Sequence, residues 1–412
     1  MKWLLRARQR PTPLRLSQGQ SRSSRSSASS IAVALYGVVQ PAGLFMLLPL
    51  TLWSLWISVA DADATWAVRS ANGEPTQRMI DPASLFSSAD AGWAGGRPVV
   101  TDLASIAAVA EDTARWIRSG ESCAVLAGGG VPSALGLHAA QTLATLDAIA
   151  RIAREDIGNP SPRLSDPAFL EANFNLWWWT PDHVGARSRG HSLPSDHIRI
   201  TRYLVSRIDG RDSPEGAYRH ALYADPGPDA REQYTRREVI AGAWKSGGAR
   251  PLTWLTERGV YEANMQGTVA VRLPDGRERM FNVHENNGHA YRVGVGDPRA
   301  QDRYWYFREV DAAYGFGAPE DCPAAGKVKL AAKASVAGDV HNIGLGRLVM
   351  MEGREGLHLA VLADTGGAFS PNLFQLDWFG GSYDSHRALY TATSSVPETT
   401  RVGLLIVKSS SH

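Results

Sequence analysis

Leu362-Ala-Asp-Thr-Gly-Gly-Ala-Phe369 and, shortly after it, Phe374-Gln-Leu-Asp-Trp-Phe-Gly-Gly381 are the stretches whose reading decides the fold. Val361-Leu-Ala363 and Leu373 to Phe379 are short, apolar or aromatic, and bounded by Gly and Pro, which predicts buried strands. Two aspartates, Asp364 and Asp377, sit at the ends of short apolar runs here. A carboxyl at such a place is partly desolvated, which raises an unpaired Asp above its usual ~3.9. Gly366-Gly367 and Gly380-Gly381 permit positive φ and let a bulky ligand approach the backbone. Two readings stand at this point. One is a general acid beside a groove; the other is a plain turn, because Asp-Thr-Gly-Gly is also good turn sequence.

Working outward, the C-terminal third from Tyr304 reads as short strands with Gly, Pro and Asn turns, as in a barrel or sandwich. Before it, Gln266 to Leu273 and Arg277 to Val283 flank Pro274-Asp-Gly276, a hairpin signal. Ile198 to Val205 and Ala217 to Tyr223 read as strands, and Thr235 to Trp244 as a helix with Thr235 and Glu238 forming a capping box. His284-Glu-Asn-Asn-Gly-His289 lacks the spacing of a zinc helix, since Gly288 interrupts it, so no metal is expected there. Leu176-Trp-Trp-Trp179 cannot send three adjacent indoles into one core from a strand, so at least one belongs at a surface or groove. Asp166 and Pro167 open a short helix. Further upstream the pattern is helical. Leu103, Ile106, Val109, Thr113, Trp116 and Ile117 share a face, and Ser133 to Arg154 makes a second helical run. Gly128-Gly-Gly130 precedes that run, but no Gly-Lys-Ser/Thr follows, which rules out a phosphate loop.

Residues 1–64 are different in kind. Seven basic residues occur there with no acid before Asp61, and an apolar run, 42–60, ends in Ala-Asp-Ala patterns. This is the form of a secretory signal, either cleaved or retained as a membrane tether, and the expected place is the periplasm or cell envelope of a bacterium. An Arg- and Ser-rich transit peptide is the alternative, which the long apolar run opposes. Setting the leader aside leaves 36 basic against 39 acidic residues, so there is no basic footprint for nucleic acid. Cys123 and Cys322, in an exported chain, are either one disulfide or two buried thiols. The remaining ~350 residues suit two domains or one large one.

Taken in order, several segments resemble the membrane-bound lytic murein transglycosylase A family. They are Ile200-Thr-Arg-Tyr203, Tyr234-Thr-Arg-Arg-Glu-Val-Ile-Ala-Gly-Ala243, Met265-Gln-Gly267, Leu273-Pro-Asp-Gly276, Asn287-Gly-His-Ala-Tyr-Arg292, Ala334 to Gly346, Asp364-Thr-Gly-Gly-Ala368 and Asp377-Trp-Phe-Gly380. The resemblance covers roughly 165–390 and favours the general-acid reading over the turn. It implies a mainly β fold with a helical N-terminal part (α+β), in which a double-psi β-barrel and a smaller inserted β domain enclose a substrate groove. The implied divisions are a leader 1–64, a helical region with the first part of the barrel 65–206, the inserted domain 207–301, and the three-aspartate barrel 302–412.

The resemblance further implies peptidoglycan glycan strands as partner and substrate, no metal and no cofactor. Asp377 would be the sole acid and base, with Asp364 and Asp339 supporting it. Thr201, Gln266, Gly267, Asn287, Gly288, Tyr291, Gly366 and Gly367 would line the groove. To start protonated near neutrality, Asp377 needs a pKa raised by burial and by a neighbouring carboxylate. The chain departs from the family pattern in ways that put its groove walls in doubt, which leaves two alternatives to a lytic transglycosylase: a catalytically impaired cell-wall-binding module, or a polysaccharide hydrolase on the same barrel. Gln266-Gly-Thr-Val269 and Thr201-Arg-Tyr-Leu204 each lose a glycine, the segment between Arg292 and Tyr304 is short, Ser382 to His386 replaces an acidic run, and the lipid-bearing cysteine is missing.

Overall fold

The computed structural model describes residues 65–409 except 71–72, 290–291, 293–296, 298–299, 316–326, 367–368 and 370. The chain divides into two units, Met1–Val59 and Ala60–His412. All described residues lie in the second, so the basic leader and the apolar run 42–60 lie outside them. No helix among the described residues is long and apolar enough to cross a membrane.

A twelve-stranded sheet organises the described residues. Its strands in chain order are β1 (Phe86–Ser88), β2 (Phe174–Trp179), β3 (Ile198–Asp209), β4 (Thr268–Arg272), β5 (Glu278–Asn286) and β6 (Trp305–Val310). They continue with β7 (Ser335–Ala337), β8 (Leu348–Glu352), β9 (Leu357–Asp364), β10 (Gln375–Tyr383), β11 (Thr399–Thr400) and β12 (Val402–Val407). Across the sheet the order is β6-β5-β4-β3-β10-β7-β9-β8-β12-β2-β1, with β11 pairing β3 off this path. Most neighbours are antiparallel, including β3 with β11, but β3 runs parallel to β10 and β4, and β7 runs parallel to β9. Parallel neighbours need crossover connections, so the centre of the sheet is assembled from segments far apart in sequence.

β9 is buried along its whole length, which is why it reads as a continuous apolar run rather than an alternating one. In β2 the three indoles divide as strand geometry requires: Trp179 is buried, whereas Trp177 and Trp178 are half-buried, and the Arg401 guanidinium lies 3.7 Å over Trp178.

Five helices bear on the site or the core: α1 (Leu103–Ile117), α2 (Ala139–Asp156), α3 (Glu257–Gln266), α4 (Val340–Ile343) and α5 (His386–Ala392). α1 starts where Asp102 accepts from Ser105 N at 2.8 Å, and it buries Ile106, Val109, Thr113, Trp116 and Ile117. The second helical run, expected unbroken from Ser133, is divided. A 3₁₀ turn Val131–Leu135 ends at left-handed Gly136, and α2 begins after it. Ala217 to Tyr223 contracts to a strand His220–Tyr223, paired with Pro251–Leu255.

The hairpin β4–β5 forms around the Pro-Asp-Gly turn. Its first expected residues do not belong to it, however. Gln266 is the last residue of α3, a helix the sequence pattern does not announce, and Gly267 is its left-handed cap at φ +76°. Thr235 and Glu238 do form the capping box, on the short helix Arg236–Ala241.

Apolar side chains gather in two clusters. The larger joins α1 and α2 to strands such as β8, β9 and β12. The smaller draws on Leu222, Trp244, Val260, Val269, Phe281 and Tyr304, all between residues 221 and 307. Cys123 is disulfide-bonded; Cys322, the other cysteine in the sequence, lies outside the described residues.

Candidate active site

β7 is only three residues long, and its last residue sets the geometry of the acidic pair. Ala337 stands opposite Asp364 on β9 and opposite Asp377 on β10. The two aspartates therefore flank one residue from adjacent strands on either side, about 10 Å apart at Cα given the usual spacing between strands. Such closeness to β7 needs glycine next door. A Cβ on Gly338 would stand 2.9 Å from Leu362 Cδ1 and 3.0 Å from Leu376 Cδ2.

On its other side β10 runs parallel to β3, with Asp377 directly opposite Thr201. Asp377 is half-exposed as a residue, yet its Oδ1 is buried and has no hydrogen-bond partner among the described residues. An ionised oxygen in that position lacks a donor, and burial pushes the carboxyl up to about 7. The Thr201 hydroxyl pulls it down, the charge of Asp364 pushes it further up, and Arg199 and Arg202 pull it down again. A carboxyl poised near 7 can hand over a proton and take one back at neutral pH.

Asp364 is buried and well supplied with donors. Its Oδ2 accepts from the Tyr203 hydroxyl at 2.8 Å and its Oδ1 from Thr365 N at 2.8 Å. Burial, followed by the charge of Asp364, holds the Tyr203 hydroxyl well above the ordinary tyrosine range, so it acts as a fixed donor. The backbone at Gly315 lies so near that a Cβ there would stand 3.1 Å from Asp364 Oδ1. Lys327 Nζ donates to Asn282 Oδ1 at 2.9 Å and to the Val283 carbonyl. Burial lowers this ammonium to about 8, and the charge of Asp364 partly offsets that.

Asp339 does a different job. It is the N-cap of α4, accepting from Asn342 N at 3.2 Å and Asn342 Nδ2 at 2.9 Å, and it also accepts from Asn372 N at 2.7 Å. Asn342 in turn accepts from Arg69 N at 2.7 Å and Trp66 Nε1 at 3.2 Å. Asp339 thus ties α4 and the approach to β10 to the first strand of the described chain, and none of these bonds reaches Asp364 or Asp377. Burial raises its carboxyl to about 6.

The expected groove residues separate. Gln266 is half-exposed with Nε2 at 3.4 Å from His386 Nε2, and Gly366 faces open space on its Cβ side. The Gly267 carbonyl is taken by Val283 N at 2.8 Å and Asn282 Nδ2 at 3.2 Å. Gly288 has φ +70°, and a Cβ there would strike Glu232. Asn287 does not offer its side chain to a ligand. It is fully buried, its Nδ2 donates to the carbonyls of Tyr234 and Asp302, and its Oδ1 accepts from Tyr304 N, so it fastens the loop instead. Tyr291 and Gly367 lie outside the described residues.

Two departures that seemed to crowd the groove turn away from it. Val269 is wholly buried in the smaller apolar cluster. Arg202 alternates with Thr201 and Tyr203 along β3, so it points to the other face, where its guanidinium donates to the carbonyls of Ile200, Thr393 and Val396. Arg199, Tyr203, Gln375 and Lys327 join the site without having been expected there. For Arg199, Tyr203 and Gln375 a signal was present: each lies two residues from a residue already singled out, and so on the same strand face.

No protein-family model matches the chain, and no curated protein does. Solved structures do. The chain is similar to the membrane-bound lytic murein transglycosylase of Agrobacterium tumefaciens, at 17% identity and TM-score 0.52 over 78% of this chain and 98% of that one. It is similar to the same extent, 17% and 0.52, to E. coli MltA with bound chitohexaose, over 79% of this chain and 95% of that one. At this identity the likeness is one of fold: the chain has the fold of the lytic murein transglycosylases, a mixed architecture of mostly β structure with helices.

Proposed function

We propose that the protein is a peptidoglycan lytic transglycosylase, cleaving the β-1,4 bond between MurNAc and GlcNAc with formation of 1,6-anhydro-MurNAc. The observation that carries this reading is Asp377. It is a carboxyl held near 7 by burial, with Asp364 across one short strand, on a fold shared with such enzymes. Most glycosidases need a second carboxylate as base or nucleophile. Here the substrate's own C6 hydroxyl is the nucleophile. Protonated Asp377 gives its proton to the glycosidic oxygen as the C1–O bond breaks, and the GlcNAc portion leaves as an alcohol. The resulting carboxylate takes the C6 hydroxyl proton as that oxygen bonds to C1, which returns Asp377 to its starting state. No water is consumed. Intramolecular attack of this kind reaches effective molarities of ~10⁵ M or more, which offsets the missing second group.

In this reading the aspartate strands and the helical region form a double-psi barrel domain, 65–206 with 302–412, and 207–301 is an inserted β domain. The smaller apolar cluster supports a separate core for the insert, although it takes in Tyr304, Tyr306 and Phe307 and so runs past residue 301. Glycan strands would lie between the two, past Gln266, Gly267, Gly288, Tyr291, Gly366 and Gly367. Thr201 would serve Asp377, and Asp364 would hold the charge that keeps it protonated. Asp339 is assigned a supporting, loop-fixing part. Substrate location implies export to the periplasm or envelope, with residues 42–60 as leader or tether. The alternative, a wall-binding module without turnover, rests on the lost glycines; the burial of Val269 in the smaller cluster and the turning of the Arg202 guanidinium to carbonyls on the other face support the enzyme reading over it.

The test is the chemistry of the product ends. Purified peptidoglycan digested with the protein should yield muropeptides ending in 1,6-anhydro-MurNAc, lighter by one water than hydrolytic products. Reducing ends would make it a hydrolase on the same fold, and no products would sink the enzyme reading.

A further inference from the structure

Gln375 and Arg199 stand opposite each other in the parallel β3–β10 pair, two residues before the pair Thr201 and Asp377. Alternation puts all four side chains on one face of the sheet. Arg199 donates to Gln375 Oε1, Gln375 Nε2 donates to Thr201 Oγ1 at 3.0 Å, and Thr201 Oγ1 donates to the Leu376 carbonyl at 3.2 Å. A guanidinium has donors only, so Arg199 settles which end of the Gln375 amide meets Thr201. The hydroxyl, accepting from an amide, keeps its single hydrogen for another acceptor. Its partner, the Leu376 carbonyl, is long for an O–H···O bond. The Asp377 carboxylate, once ionised, is the stronger acceptor, because bonds to charged oxygens are shorter and stronger.

We propose that Gln375, held by Arg199, is a positioning residue that reserves the Thr201 hydrogen for Asp377, so that the hydroxyl turns from the Leu376 carbonyl to the carboxylate as Asp377 passes from acid to base. The proposal rests on Asp377 being the acid and base of the reaction. Were Gln375 to present its oxygen instead, the amide would capture that hydrogen and the new carboxylate would be left bare. The charged and titratable groups on the face of Asp377 are Asp364 from β9, Arg199 and Tyr203 from β3, and Lys327 beside Asp364. The Tyr203 hydroxyl is committed to Asp364 Oδ2, and the charge of Arg202 acts from the other face. None of these can supply a neutral donor that turns toward and away from the carboxylate.

The experiment compares the full chain with Gln375→Met, Thr201→Val and the double variant, by rate of glycan cleavage against pH. Gln375→Met should lower kcat roughly tenfold with little change in KM, as expected for a lost hydrogen bond to a charged group. The alkaline limb should move up by about half a pH unit, because the ionised acid has lost support. In the Thr201→Val background the same change should add nothing. Equal losses in both backgrounds, or an unmoved alkaline limb, would overturn the relay and leave Gln375 a packing residue. A second readout needs no catalysis: ¹³C-carboxyl NMR of Asp-labelled protein, with the resonance of Asp377 assigned by its loss in Asp377→Asn. An upward move of its titration in Gln375→Met, present only when Thr201 is, supports the relay even if no glycan is cleaved. An unmoved titration overturns it even if the enzyme reading stands.

Discussion

At the scale of residues, the acid chemistry and the stability of the protein pull against each other. A carboxyl raised from 3.8 to about 7 by folding keeps its proton longer than the unfolded chain does. Between those values unfolding releases a proton, so the stability held at low pH declines as pH climbs through this window. Asp377→Asn removes the group that must ionise in a buried place. It should therefore stabilise the protein at pH 8 by ~2–4 kcal/mol, since each pH unit across that window is worth about 1.4 kcal/mol, and have little effect at pH 4. Thermal melts of both proteins at the two pH values check this, and a variant no more stable at pH 8 would mean that Asp377 is not held protonated by its surroundings. Both site aspartates were legible in the sequence, because each lies in an apolar run followed by glycines. Gln375 and Arg199 share strand faces with residues already singled out, but their pairing was not legible, because it depends on which strand stands beside β10, and parallel pairing leaves no local mark.

Among the elements, the join between β10 and α5 is the most demanding. β10 changes register on β3 between Phe379 and Ser382, with Gly381 at φ +108°. At Gly380 an added Cβ would stand 2.0 Å from Leu389 Cδ1 of α5, so the helix sits directly on the strand. Gly380→Ala must displace α5 or bend β10, and overpacking of this kind costs ~1–3 kcal/mol. Urea denaturation should show a lower midpoint with an unchanged slope; an unshifted midpoint would show that α5 yields freely. Helices α1 and α2 were legible from their periodicity. α3 was not, because Gln266 and Gly267 precede β-branched Thr268 and Val269 and read as part of the strand, whereas Gly267 is the helix cap.

Over the whole molecule, one buried amide joins what the two apolar clusters separate. Asn282 Nδ2 donates to Thr268 Oγ1 at 2.7 Å and to the Gly267 and Tyr314 carbonyls, while its Oδ1 accepts from Lys327. It fixes the turn after α3 to the backbone that lies against Asp364. Asn282→Leu would orphan several buried polar groups at ~1–3 kcal/mol each, and cleavage should fall with stability. A variant as stable and active as the parent would show that the clusters need no such tie. The mainly β class with a helical start could be read from periodicity, while the order of strands could not, since Ala337 meets both aspartates through pairings of opposite sense.

The measurement that bears most directly on the account is peptidoglycan cleavage by the protein beside Asp377→Asn, with binding to the wall followed in the same samples. The account predicts anhydro-MurNAc products from the protein, none from the variant, and equal binding by both. Products from Asp377→Asn at a comparable rate would contradict it, for then the acid lies elsewhere.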